Sequence, residues 1–171
     1  HNEASAAFTK VRSAKGPLAP WGAYYEAEQD LVRGKPGVAI RECETYLNKW
    51  PSGLHTDACQ RLIARGLAET GQYTKALEAA TAYDATHPRA TIAEQIEFTI
   101  ASHQVTRNTS AGVRRLKRLA VDHQAPLTGR MAEELLAELH HQGHDDAVIP
   151  RDVESIKQRA ESLRVSGRRQ E

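Results

Sequence analysis

GQYTKALEAATAYDATHP, residues 71–88, is the stretch on which the fold turns. Gly71 ends one helix, because it adopts the left-handed backbone that a helix C-terminus often needs. Tyr73 opens the next. Ala76 is small where two helices cross, and Leu77 and Ala80 follow it one and four residues on, along the same face. Pro88 cannot continue a helix and stops this one.

Working outward, the same line occurs once before. GKPGVAIRECETYLNKWP, residues 34–51, sets Gly34 against Gly71, Ala39 against Ala76, Ile40 against Leu77, Tyr46 against Tyr83 and Pro51 against Pro88. Each pair is 37 residues apart, and five matches at one offset mark an internal repeat. Pro36 stands where the second copy has Tyr73, at a first-turn position that tolerates proline. Beyond Pro88 the echo fades, but helical spacing continues. Ile92, Ile96, Ile100 and Val105 share one face in 91–106; Val113, Leu116, Leu119 and Ala120 share another in 110–123, after the polar turn Asn108-Thr109-Ser110. Met131, Leu135, Leu136 and Leu139 follow in 127–142, stopped by Gly143, and Val153, Ile156, Ala160 and Leu163 in 151–166, stopped by Gly167. A further helix is expected over 3–14, before Gly16-Pro17.

The line from Gly71 to Pro88 resembles the second half of a tetratricopeptide repeat: Gly, a hydrophobic residue two on, Ala three further, and a closing Pro. The first helix of each hairpin departs from that pattern, since the family's Trp, Leu and Gly do not occur together in 57–70, which has Leu62, Ile63, Ala64 and Leu67 instead. The resemblance implies an all-α fold, a right-handed superhelix of tetratricopeptide-like antiparallel hairpins at about 18–51, 53–88, 90–125 and 127–166, within one domain spanning 1–171. An irregular helical bundle is the alternative. A β-rich fold is excluded by the lack of alternating apolar-polar runs. The ending SLRVSGRRQE reads as the start of a hairpin whose second helix is missing, so the chain is expected to be a piece of a longer protein.

Composition agrees. Of 171 residues 40% are hydrophobic and only 5% aromatic, so Ala, Leu, Ile and Val must build the core, which suits close helix-on-helix packing. The formal charge of +1 gives no electrostatic reason for a nucleic-acid partner. No stretch approaches the roughly 18 apolar residues needed to span a bilayer.

Few residues suggest chemistry. Cys43 and Cys59 lie eight residues either side of Pro51. That symmetry sets them at similar height on facing helices, compatible with a disulfide, which would imply an oxidising compartment, or with two small buried thiols. His140, His141, His144, Asp145 and Asp146 have metal-ligand types, but Gly143 interrupts them, and a polar helix end is the plainer reading. Arg114, Arg115, Lys117 and Arg118 form the solvated face of an amphipathic helix, without the aromatics of a nucleic-acid surface. No nucleophile elbow, phosphate loop, dinucleotide fingerprint or zinc-protease motif is present. Neither a catalytic residue nor a cofactor is assigned.

In the family the resemblance points to, the first helix of each hairpin lines a concave binding face. Carried over, that face holds Trp21, Tyr24, Arg61, Arg65, Gln95 and Phe98, side chains suited to recognition. The plainer reading makes Trp21 and Tyr24 an end cap, and leaves Arg61 and Arg65 in solvent. The expected function is a non-catalytic scaffold for a protein or peptide partner. A second expectation comes from PLAPWGAYYEAEQDLVRG, YLNKWPSG and RAESLRVSGRRQE, which look like the superhelical arm of soluble lytic murein transglycosylases. This implies a periplasmic or cell-envelope location beside peptidoglycan machinery, with the catalytic domain elsewhere. Glu161-Ser162 lacks the surroundings of that family's catalytic Glu-Ser pair. The WPSG-LHTDA spacing is similar to periplasmic repeat lipoproteins, which are scaffolds too.

Overall fold

The computed structural model describes residues 2–13, 16–107, 109–122, 125–148 and, near the C-terminus, 156–158, 160, 161 and 164. Among these residues there is no strand. Eight helices follow in chain order: α1 (Asn2–Ser13), α2 (Ala19–Val32), α3 (Pro36–Lys49), α4 (Thr56–Glu69), α5 (Tyr73–Thr86), α6 (Ile92–Arg107), α7 (Thr109–Val121) and α8 (Pro126–His141). The expected last helix lies largely outside the described residues; Ile156 and Ala160 within it are helical and exposed.

The chain divides into two compact units, residues 1–83 and 84–171. In the first, α1 packs on α2, α2 on α3 and α3 on α4, with α2 also meeting α4; in the second, α6 packs on α7 and α7 on α8, with α6 also meeting α8. The fold is an all-α array of helical hairpins.

The repeat is visible in the backbone. α2 and α4 begin at 19 and 56, and α3 and α5 at 36 and 73, so both pairs are 37 apart. The N–H groups of Arg33, Gly34 and Lys35 donate to the carbonyls of Gln29, Leu31 and Asp30 at 3.0, 3.0 and 2.9 Å. Those of Thr70, Gly71 and Gln72 donate to Gly66, Ala68 and Leu67 at the same three distances. This is a Schellman-type C-cap, and it needs the positive φ found at Gly34 (72°) and Gly71 (80°). Gly143 (φ 93°) builds the same cap after α8, through Gln142, Gly143 and His144.

Buried positions recur with the caps. Ala27 and Ala64, Leu31 and Ala68, Ala39 and Ala76, and Cys43 and Ala80 are buried pairs, each 37 apart. Beyond α5 the period shortens. α6 begins at 92 and α8 at 126, steps of 36 and 34 after 56, while α7 begins at 109, a step of 36 after 73. At a step of 36, Ala76 maps onto Gly112 and Ala80 onto buried Leu116. Gly112 continues the small residue at the helix crossing: a Cβ there would lie 2.6 Å from the Val105 backbone nitrogen.

Two cores result. Ala23, Ala27, Leu31, Ala39, Cys43, Tyr46, Cys59 and Leu62 form that of the first unit. Val113, Leu116, Leu119, Leu136 and Leu139 lead that of the second. Small residues let the helices close up, as at Gly66, where a Cβ would be 2.9 Å from Ile40 Cγ1. In the second unit two helix starts are capped from a distance. The Asp84 carboxylate accepts the N–H groups of Ile92 and Ala93 at 3.0 and 2.9 Å, and Glu94 accepts that of Ala125 at 2.8 Å. The basic face of α7 is partly engaged: Glu97 on α6 pairs with Arg115 and, at 2.9 Å, with Arg118.

Candidate functional site

Residues 21, 24, 25 and 28 fall at helical spacing on one face of α2, so Trp21, Tyr24, Tyr25 and Glu28 project together. The loop between α3 and α4 brings His55 onto that face. Tyr46, fully buried on α3, fixes the loop: its hydroxyl accepts the buried backbone N–H of His55 at 3.1 Å. Gly53 passes so close that a Cβ would sit 2.5 Å from the Tyr46 Oη. Further bonds tighten the turn, Gly53 N–H to the Trp50 carbonyl at 2.9 Å and Thr56 N–H to the Gly53 carbonyl at 3.1 Å.

An aromatic cluster results. The His55 ring lies flat on Tyr24, with centroids 4.5 Å apart and planes 4° from parallel. Trp21 meets His55 edge-on at 4.6 Å, and Tyr25 does so at 5.7 Å. Phe8 of α1 stacks on Tyr25 at 5.3 Å. These geometries are the favoured ones for ring quadrupoles. The cluster opens to solvent at Trp21, which is 40% exposed, with Leu18 (60%) one turn before it on the same helix side and Leu54 (76%) immediately before His55.

Burial dominates its electrostatics. Removal from water lowers the His55 pKa, with Glu28 opposing, so the ring is neutral at neutral pH. Its Nε2 is buried without a hydrogen-bond partner. The Tyr24 hydroxyl donates to Glu28 at 3.0 Å; burial first, then that bond, raises its pKa, while Arg61 on α4 pulls the other way. Tyr24 therefore stays protonated. A neutral ring stack with one exposed tryptophan can bury a partner's apolar or aromatic side chain.

Of the residues expected to recognise a partner, Trp21 and Tyr24 belong to this cluster, and Arg61 is exposed and near enough to Tyr24 to act on its ionisation. Arg65 is exposed and pairs with Glu69 at 2.9 Å, one turn on. Gln95 and Phe98 lie on α6 in the second unit, where Gln95 is exposed and Phe98 packs against the core. Cys43 and Cys59 are both fully buried and are free thiols, on the packed pair α3 and α4. His140 lies in the last turn of α8 and His144 beyond the Gly143 cap. Sequence reasoning did not single out Tyr25 or His55. The pair Tyr24-Tyr25 beside Trp21 signalled the first, whereas His55 is a loop residue with no periodicity to mark it. No protein-family model, characterised protein or solved structure matches the chain.

Proposed function

We propose that this protein is a non-catalytic, tetratricopeptide-like scaffold that takes a protein or peptide partner on the face of α2 and α4 around Trp21. The observation that carries the reading is an exposed tryptophan seated on a fixed aromatic stack, with exposed Leu18 and Leu54 beside it. Large exposed apolar groups on a rigid base are costly to leave in water, and they make effective anchors because little side-chain freedom is lost on binding. Arg61 supplies a charged donor at the edge of the same surface.

The test is affinity capture from lysate of the source cell, with wild type and Trp21→Ala as parallel baits. The scaffold reading expects at least one protein bound by wild type and reduced roughly tenfold or more by the substitution, given the 2 kcal/mol or so typical of a tryptophan anchor. Far-UV circular dichroism must show equal helicity in the two baits. Capture unaffected by the substitution would remove Trp21 from recognition. A cell-envelope location, with the chain as the arm of a glycan-cleaving enzyme, is the second reading. It rests on the sequence stretches 17–34, 46–53 and 159–171, and a full-length reading frame carrying a transglycosylase domain is what would establish it.

A further inference from the structure

The first unit contains one chemically reactive pair that the scaffold reading leaves unused. Cys43 on α3 and Cys59 on α4 are each 0% exposed, and both belong to the core cluster with Tyr46 and Leu62. Their helices pack against one another but belong to successive hairpins, since α3 closes the first and α4 opens the second. Both therefore sit in one core between the same two packed helices, and the influence of Cys59, ahead of burial, raises the Cys43 pKa. A thiol held protonated in a core is a poor nucleophile and a poor metal ligand toward anything outside it. Among the described residues no group of three metal-ligating side chains includes either cysteine. The chemistry open to each sulfur is the other sulfur.

We propose that Cys43 and Cys59 form an oxidation site that closes into an intramolecular disulfide, tying the first hairpin to the second. The oxidant belongs to the class of small or protein disulfides, R–S–S–R. One cysteine thiolate attacks it, forming a mixed disulfide and releasing one R–S⁻; the second thiolate attacks the protein sulfur of that mixed disulfide and releases the other. In sum, two protein thiols give up two electrons and two protons, and R–S–S–R becomes two R–SH. Full burial of both sulfurs places the first attack before α3 and α4 have docked, that is, during folding. The bridge encloses residues 44–58, a loop short enough to be drawn together cheaply and long enough to constrain the unfolded chain.

The experiment is refolding of the whole chain from denaturant in mixed oxidised and reduced glutathione. Thiols are then counted in unfolded, unreduced protein, alongside intact mass and a non-reducing peptide map. The expected result is loss of both thiols, a mass lower by two hydrogens, a peptide joining Cys43 to Cys59, and a Tm raised by roughly 5–10 °C that reductant reverses. Cys43→Ser is expected to keep one thiol and show no such reductant-sensitive rise. Two reactive thiols in the refolded wild type would overturn the proposal, and so would glutathione adducts without the joined peptide, or a Tm lowered by oxidation. The decisive readouts are on wild type, so failure of the serine variant to fold leaves the test intact. They are also independent of whether Trp21 binds a partner.

Discussion

Gly34→Ala isolates the strain in a helix cap. Gly34 has φ 72°, and a Cβ there meets nothing within 4 Å, so the added methyl has no packing effect of either sign. What remains is the left-handed backbone, about 1–2 kcal/mol for an L-residue, partly offset by about 0.4–1 kcal/mol from the less flexible unfolded chain. The net loss is about 1 kcal/mol, a Tm drop of about 2–4 °C for a chain of this length. Gly71→Ala should match it, because the same three cap bonds recur there and φ is 80°. The two losses should add to within about 0.5 kcal/mol, since the caps share no partner. Gly37→Ala carries the opposite sign. Its Cβ would lie 3.9 Å from Arg41 Nη1, ordinary contact, inside the first turn of α3, where alanine is the better helix former by up to about 1 kcal/mol. Thermal and urea unfolding followed by far-UV circular dichroism would rank the three. A Gly34→Ala protein as stable as wild type, or a Gly37→Ala protein less stable than Gly34→Ala, would refute the account of the caps.

Tyr46→Phe keeps the ring in the core but strips the acceptor from the buried His55 N–H, and should lower stability by about 1–3 kcal/mol in the same denaturation assay; a neutral result would mean that the loop does not depend on this bond. The His55 pKa is lowered in the folded protein, so the unfolded chain binds more protons between that value and the usual 6.5. Stability should therefore fall as pH drops below about 6.5, and His55→Phe should flatten this part of the Tm profile; an unchanged profile would show that His55 does not titrate on unfolding.

The helices of the first unit were legible because their signals are local. Gly34 and Gly71 mark positive φ, Pro36 marks a first turn, and Ala39 and Ala76 mark crossings, so the sequence offset of 37 reappears as the offset between helix starts. Past residue 88 the echo fades because the period itself changes to 36 and then 34, and comparison at a fixed offset loses Ala76 against Gly112. The symmetric placement of Cys43 and Cys59 about Pro51 set them on neighbouring helices, and the structure has both buried in one core on the packed pair α3 and α4. The candidate site was less legible. Helical spacing groups Trp21 with Tyr24, but nothing local says that a loop stitched to Tyr46 will deliver His55 onto Tyr24. The pairing of Arg115 and Arg118 with Glu97 was hidden for the same reason, since it joins two helices whose partners no periodicity specifies.

Identical helix ends at a fixed spacing make the first unit modular in length. Because helix starts and cap bonds both recur at 37, removing or duplicating one full set of 37 leaves every following residue at its former place in the repeat, with a cap glycine ready at the splice. Removing 36 instead would leave the repeat one residue out of register, and at about 100° of rotation per residue the next apolar stripe would turn by more than a quarter circle toward water. Such a chain can grow or shrink only in whole units, which gives gene duplication a ready route to surfaces of different size.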